Sequence, residues 1–198
     1  QQMIKSVVIA LLVSAAVPVF AQSSFAVRPD AARILWKGTK VTGEHSGTIK
    51  LKSGTLDWGA QGLTGGEIVM DMTSIANTDM DREWATELED QLRSSDFFDT
   101  ETFKTATFKV TNVAPIVGAE TGKPNYTVTG DLTIKGITTP VTFTVLAWKD
   151  KKTVRAAGVL SFDRTLYDIK YRSGRFFPSL GDKMIDDMIE LTFDITGK

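Results

Sequence analysis

His45 is the only imidazole in this chain, and there is no cysteine. A hydrolytic triad would need His45 as its base. Its neighbour Ser46 points to the opposite face if the pair lies on a strand, because strand side chains alternate. No Gly-x-Ser-x-Gly elbow is present to present a serine nucleophile. One histidine without cysteine also argues against a zinc site, so His45 reads as a polar residue near a turn. The acidic run Asp79-Met80-Asp81-Arg82-Glu83 invites a calcium-loop reading, but Trp84 stands where an EF-hand needs glycine. Capping and solvation are the better roles for those acids. Gly62-Leu63-Thr64-Gly65-Gly66 lacks the Gly-Lys-Ser/Thr ending of a phosphate loop and reads as hairpin punctuation. Asp186, Asp187 and Glu190 form a clustered set of carboxylates that reads as solvated surface.

The richest stretch chemically is Arg164 to Lys183. Arg164, Lys170, Arg172 and Arg175 are interleaved there with Tyr167, Tyr171, Phe176 and Phe177. Rings of this kind line the mouth of an apolar cavity while cations meet an anionic head group. Arg164, Lys170 and Arg172 are therefore head-group candidates, with Arg82 a fourth. The plainer alternative is a surface loop whose aromatics fill the end of a fold.

The elements that must position these residues are strands. Tyr126 to Val145 puts Tyr126, Val128, Leu132 and Ile134 on one side, then Val141, Phe143 and Val145 on one side, with Thr, Asp and Lys opposite. Lys135-Gly136-Ile137-Thr138 is the expected reversal, with Gly136 free to adopt φ > 0. Pro140 falls where a new strand begins. Phe25–Val41 reads as extended, with Ile34, Trp36 and Gly38 on one side. Gly43-Glu44 is the expected turn. Ile49 and Leu51 alternate with Lys50 and Lys52 before Gly54 interrupts and Leu56 and Trp58 follow. Gly59 to Gly66 is the expected connection to a strand with Ile68, Met70 and Met72 inward. From Asp81 to Arg93 the period changes. Trp84, Ala85, Leu88 and Leu92 fall on one helical face, with Thr78 or Asp79 as N-cap. Strands resume with Ala106, Phe108 and Val110, then Val154 to Phe162, then Ile189, Leu191, Phe193 and Ile195. Alternating strands with one helix argue for an antiparallel barrel or sandwich, between which periodicity does not choose.

Two blocks within these elements resemble the signatures of the YceI-like family of lipid- and polyisoprenoid-binding proteins. One is Gly130-Asp131-Leu132-Thr133-Ile134-Lys135-Gly136-Ile137-Thr138 followed by Pro140-Val141. The other is Ser94-Ser95-Asp96-Phe97-Phe98-Asp99 followed by Thr105-Ala106-Thr107-Phe108. Lys104 departs from the pattern, standing where a proline is expected. The resemblance implies a mainly β fold: a lipocalin-like antiparallel barrel of about eight strands, wide enough for one small ligand, with the helix covering it. It also implies an apolar lipid ligand of polyisoprenoid, quinone or fatty-chain type. On that basis the tunnel-lining set is Trp36, Met70, Phe98, Phe108, Val128, Leu132, Phe143, Phe162, Tyr171, Phe177, Leu191 and Phe193.

Composition is consistent with one domain. The chain has 198 residues, 42% of them hydrophobic and 24% charged. Met3 reads as the start of a signal peptide over residues 1–21, with Lys5 as its basic region, an apolar core from Val7 to Ala16, and cleavage after Ala21. The run is shorter than the ~20 residues that span a bilayer. Residues 22–198 then form a single domain. Lys5 is the one charge removed, so the net charge goes from −1 to −2, a poor match to nucleic acid. Absence of cysteine excludes disulfides and a lipidated N-terminal cysteine. The expectation is an exported carrier, periplasmic in a Gram-negative source, with no catalytic residues, no metal, no cofactor and no stable membrane anchor; a homodimer stays open. The alternatives are an enzyme acting on a lipid or small exported substrate, and an interaction protein whose barrel is filled by its own side chains.

Overall fold

The computed structural model describes residues 22–198, so the expected signal peptide lies outside the described residues. Nine strands and one helix are described: β1 (Ser23–Ala26), β2 (Arg33–Lys40), β3 (Gly43–Gly59), β4 (Gly62–Asn77), α1 (Arg82–Arg93), β5 (Thr105–Pro115), β6 (Tyr126–Ile134), β7 (Ile137–Asp150), β8 (Thr153–Asp163) and β9 (Ile185–Gly197). The sheet order is β1-β3-β2-β9-β8-β7-β6-β5-β4, and β4 pairs back onto β3. That last pairing closes β2 to β9 into an eight-stranded antiparallel barrel. Closure removes the edges an open sheet exposes. β1 extends the wall by pairing with Thr55–Trp58 of β3, while β2 uses the other half of β3, Gly43–Thr48.

Alternation explains the interior. Tyr126, Val128, Leu132 and Ile134 on β6 are all buried, as are Val154, Ala156, Leu160 and Phe162 on β8. Their neighbours of opposite parity face out. The β6–β7 turn is just Lys135-Gly136, both with left-handed φ (51° and 73°), a pair suited to the tight primed turns of hairpins. Ile137 and Thr138, expected in the reversal, already belong to β7. Pro140 sits inside β7 opposite Asp131, in a stretch where β7 pairs with β6 alone. The absent N–H therefore interrupts no ladder.

Several boundaries differ from the sequence reading, mostly at glycine. The turn expected at Gly43-Glu44 falls at Val41-Thr42, and Gly43 opens β3. Gly54 does not interrupt β3, which runs through it with register irregularities at Thr48/Lys50 and Leu51/Ser53. The connection expected over Gly59–Gly66 is only Ala60-Gln61, and Gly62 to Gly66 lie in β4. These glycines serve close approach instead of reversal. A Cβ on Gly62 would collide with the Tyr126 hydroxyl, and one on Gly66 would sit 2.5 Å from the Thr55 carbonyl oxygen. Phe25–Val41 is not one strand, because Pro29 opens a short 3-10 turn between β1 and β2. β9 is longer than Ile189–Ile195, starting at Ile185.

The helix begins at Arg82 with Asp81 as its N-cap residue, not Thr78 or Asp79. Its face is also rotated from the expected one. Ala85, Glu89 and Leu92 are buried and Trp84 is 62% exposed. A buried carboxylate decides this rotation. Glu89 accepts from the Asn77 backbone N–H at 2.9 Å and from Arg82 Nη2 at 2.7 Å, with Arg93 Nη2 at 3.5 Å. Glu89 thereby fastens α1 to the end of β4. The Arg82 hydrogen bond holds the Glu89 carboxyl below the usual range despite its burial, with the Asn77 N–H helping. After the helix, Ser94–Asp99 forms a tight turn in which the Phe98 N–H donates to Leu92 O and Asp99 takes φ 45°. That turn drops Phe97 and Phe98 into the barrel end.

Candidate functional site

The barrel interior is not solid. Two cavities lie along it, of about 100 Å³ and 80 Å³. Each is several times the roughly 10–15 Å³ that one water requires. Both are walled almost wholly by apolar side chains. Trp36, Phe98 and Phe162 line the first; Phe108, Val128, Leu132, Phe143 and Phe193 line the second. Met70 of β4 and Leu191 of β9 border both, so these two side chains form the partition. Ten of the twelve residues expected to line a tunnel therefore border a cavity.

The other two do not. Tyr171 packs its ring on Phe97 at 5.4 Å and covers the first cavity from behind. Phe177 is 48% exposed, outside both cavities. Its segment turns outward because its inward positions are taken by Tyr167, Ile169 and Ser173, each 0% exposed. Residues absent from the expected set also line the first cavity: Ile75, Phe97, Ile169, Ile185 and Ile189. Phe97 stood in one of the signature blocks, and Ile189 on the inward parity of β9. Ile169 and Ile185 carried no periodic signal, since each flanks irregular backbone.

Glycine shapes the second cavity. A Cβ on Gly130 would collide with the Phe108 ring, so the glycine of the signature block makes the place where that ring lies. Phe108 in turn packs at 5.3 Å on Phe143, and Phe143 meets Phe193 edge-on at 5.7 Å. Such tilted contacts suit the ring quadrupoles.

Thr55 is the one polar side chain bordering the second cavity, whereas four border the first: Thr39, Lys40, His45 and Arg164. Thr39, Lys40 and His45 sit where β2 turns into β3, at the α1 end of the barrel. His45 Nδ1 lies 3.3 Å from Asp79 Oδ2. Burial pushes the Asp79 carboxyl up, but hydrogen bonds from Asn77 and His45 prevail and leave it below the usual range. His45 is thus more than a polar turn residue, and Asp79 pairs with it instead of capping the helix.

The four head-group candidates are not brought together. Arg164 is fully buried, and all five of its N–H donors have partners. Nε donates to Asp186 O, Nη1 to Ile169 O and Tyr171 O, and Nη2 to Ile185 O and Asp187 Oδ1. Its inventory of donors is then complete, so none is free for a head group. Desolvation lowers its pKa from the ordinary arginine value, opposed by Asp187, Asp163 and Asp186. Arg164 knots the start of the long Arg164–Lys183 stretch to the start of β9. Arg82 is on the helix surface with Glu89, Lys170 pairs with Asp168 at 2.7 Å, and Arg172 lies over the outer Tyr171 ring. Lys170 and Arg172, close to Arg164 in sequence, make separate surface contacts while Arg164 is buried, because the stretch coils into turns that point successive side chains in different directions. Asp187 joins Arg164 and Arg175, so it is not plain solvated surface.

Among the described residues, no group of three or more His, Cys, Asp or Glu is placed to hold a metal ion. Among them, too, no helix is long and apolar enough to cross a membrane. The chain matches no curated protein. Solved structures do match. One is BcnA of Burkholderia cenocepacia, 21% identical, with a TM-score of 0.68 over 87% of this chain and 99% of that one. Another is a polyisoprenoid binding domain from Saccharophagus degradans implicated in plant cell wall breakdown, 13% identical, with a TM-score of 0.59 over 89% of this chain and 97% of that one. At such identities the likeness concerns the fold. A family model described as the YceI-like domain matches residues 25–197, nearly the whole chain, and the protein therefore belongs to the YceI-like domain family.

Proposed function

We propose that this protein binds one long apolar chain inside its barrel and carries or sequesters it as an exported protein, without catalysing a reaction on it. The observation that carries this reading is the pair of apolar cavities meeting at Met70 and Leu191. A filled-barrel interaction protein would have packed that space, since cores normally leave few voids. The polyisoprenoid binding named for the Saccharophagus degradans domain supports the same ligand class. Export rests on the signal-peptide pattern of residues 1–21. An enzyme would need ionisable groups converging on the cavity; Glu89 and Arg164, the buried charged side chains among the described residues, are held in structural pairs.

Energetics favour a long ligand. A micromolar Kd corresponds to about −8 kcal/mol. Association costs are on the order of 8 kcal/mol, within the range of ~4–15 kcal/mol. Apolar burial must then supply about 16 kcal/mol, or roughly 20 CH₂ groups at ~0.8 kcal/mol each. Polyprenyl and quinone tails meet that requirement, and short fatty acids do not. A chain of this length has to pass the Met70–Leu191 partition, and methionine is unbranched and re-adapts readily. Lys40, Thr39 and His45 are placed to meet the polar end of the ligand at the first cavity.

Organic extraction and native mass spectrometry of the purified protein test the proposal. The expected result is a co-purifying long-chain lipid, or stoichiometric uptake of an added prenyl chain. Recovery of no lipid together with no uptake overturns it.

A further inference from the structure

The barrel wall has a seam. β7 and β8 pair only from Asp150↔Thr153 to Val145↔Gly158. Beyond that point β7 continues back to Ile137 on β6 alone, and β8 continues to Asp163 on β9 alone. The two strands diverge into a wedge. Its wide end is stopped by the 3-10 turn Arg164–Tyr167, whose buried Tyr167 bonds to the Thr139 hydroxyl and packs edge-on against Phe162 at 5.6 Å. Between that stopper and Val145 nothing pairs the strands.

Solvent reaches the interior at the wedge. On β9 the inward-facing Leu191 and Ile195 are 6% and 4% exposed, yet Phe193 between them is only half-buried. On β7 the inward-facing Val145 is 2% exposed, yet Phe143 is half-buried. An opening at the end of the barrel would expose Val145 and Ile195 first. Access from the side, through the wedge, exposes Phe143 and Phe193, with Val141 further along the unpaired part of β7, and spares Val145, Leu191 and Ile195. Gly158 lies at the apex, where a Cβ would come within 3.0 Å of both the Phe193 ring and the Thr144 carbonyl. The outer rim is apolar: Val159 is 46% exposed and Leu166 54% exposed.

We infer that the wedge between β7 and β8 is a lateral window through which a hydrocarbon chain enters and leaves the second cavity, gated by the rings of Phe143 and Phe193. This rests on the proposed carrier function, and assigns its route. The tail enters sideways, from an apolar donor such as a lipid surface, while the polar end stays at the first-cavity end of the barrel, so no polar head is threaded along it. Rotation of two rings suffices, because the strands there carry no ladder hydrogen bonds to break. The apolar rim lowers the cost of the tail's exposure in transit.

The chain has no cysteine of its own, which makes single-site labelling clean. Val159→Cys labelled with a bulky maleimide blocks the window. Val41→Cys, a 54% exposed valine in the β2–β3 turn, separated from β8 by β9 and beside the first cavity instead of the second, carries the same label as a control. The readout is the stopped-flow rate and end point of cis-parinaric acid uptake. The label at Val159 slows uptake about ten-fold or more without changing the end point, and the label at Val41 leaves the rate unchanged. Unlabelled Phe193→Ala removes half of the gate and speeds uptake several-fold. Slowing by the Val41 label, or an unchanged rate with both the Val159 label and Phe193→Ala, overturns the window. No equilibrium uptake by the unlabelled wild-type protein removes the carrier reading itself, a result distinct from a slow approach to a normal end point.

Discussion

Replacing Arg164 with lysine separates two roles for a side chain whose sequence context suggested a head-group ligand. The guanidinium is 0% exposed and serves four backbone carbonyls and the Asp187 carboxylate through five N–H donors. Lysine keeps the charge but has three donors on a single nitrogen. At least two of the five acceptors then lose their partner. A buried acceptor left unpaired costs about 1–3 kcal/mol, so Arg164→Lys destabilises the fold by roughly 2–6 kcal/mol, a large share of the ~5–15 kcal/mol that typical domains possess. Equilibrium urea unfolding, followed by intrinsic tryptophan fluorescence, to which the buried Trp36 contributes, measures this as a lowered midpoint at constant slope. Uptake of an apolar probe should persist at urea concentrations where the variant is still folded. A loss below about 1 kcal/mol, accompanied by weaker binding of lipids with anionic heads, would refute the clamp and restore Arg164 as a ligand-binding residue.

Three further outcomes follow from the same geometry. Met70→Trp places an indole in the partition between the cavities; it costs about 1–3 kcal/mol by overpacking and weakens long-chain binding at least about a hundred-fold, since forfeiting four CH₂ contacts already removes ~3 kcal/mol, as a fluorescent-probe titration would show. Gly47→Ala drives a Cβ into the Ala76 carbonyl and the Trp36 ring and destabilises by about 3 kcal/mol, read by urea unfolding with a shifted tryptophan emission. Glu89→Gln flattens the acid side of the stability profile. The folded carboxyl is depressed by Arg82 and the Asn77 N–H, so its contribution is present above the unfolded value of about 4.3 and is lost as pH falls through the lower folded value. Unfolding free energies from urea titrations between about pH 5 and pH 3 should therefore fall less steeply in Glu89→Gln than in the wild type, from a pH 7 value reduced by about 1.5–3 kcal/mol.

Much of this fold was legible because strand alternation is a local property. Val128, Leu132, Phe143, Phe162 and Leu191 declared their inward parity within a few residues of chain, and the two signature blocks supplied the choice of barrel over sandwich. What misled was residue type without direction. Glycines at 54, 62, 65 and 66 looked like punctuation, yet they lie within strands, and the crowding at Gly54, Gly62 and Gly66 comes from partners on other strands. Trp84 read as part of the helix's apolar face, yet it is exposed while the carboxylate of Glu89 is buried. Arg82 and the Asn77 N–H make burial of that carboxylate favourable, and neither partner is identifiable until α1 docks on β4.

The amino-acid sequence by itself determined the strands, the apolar parity of their inner faces and the family, because each follows from contacts or words only a few residues long. Tertiary structure alone decided that the inner faces stop short of meeting, that Met70 and Leu191 divide the space, that Arg164 is spent on backbone carbonyls, and that β7 and β8 part at Gly158. All four depend on the distance between segments far apart in the chain, which barrel closure sets and no local pattern records.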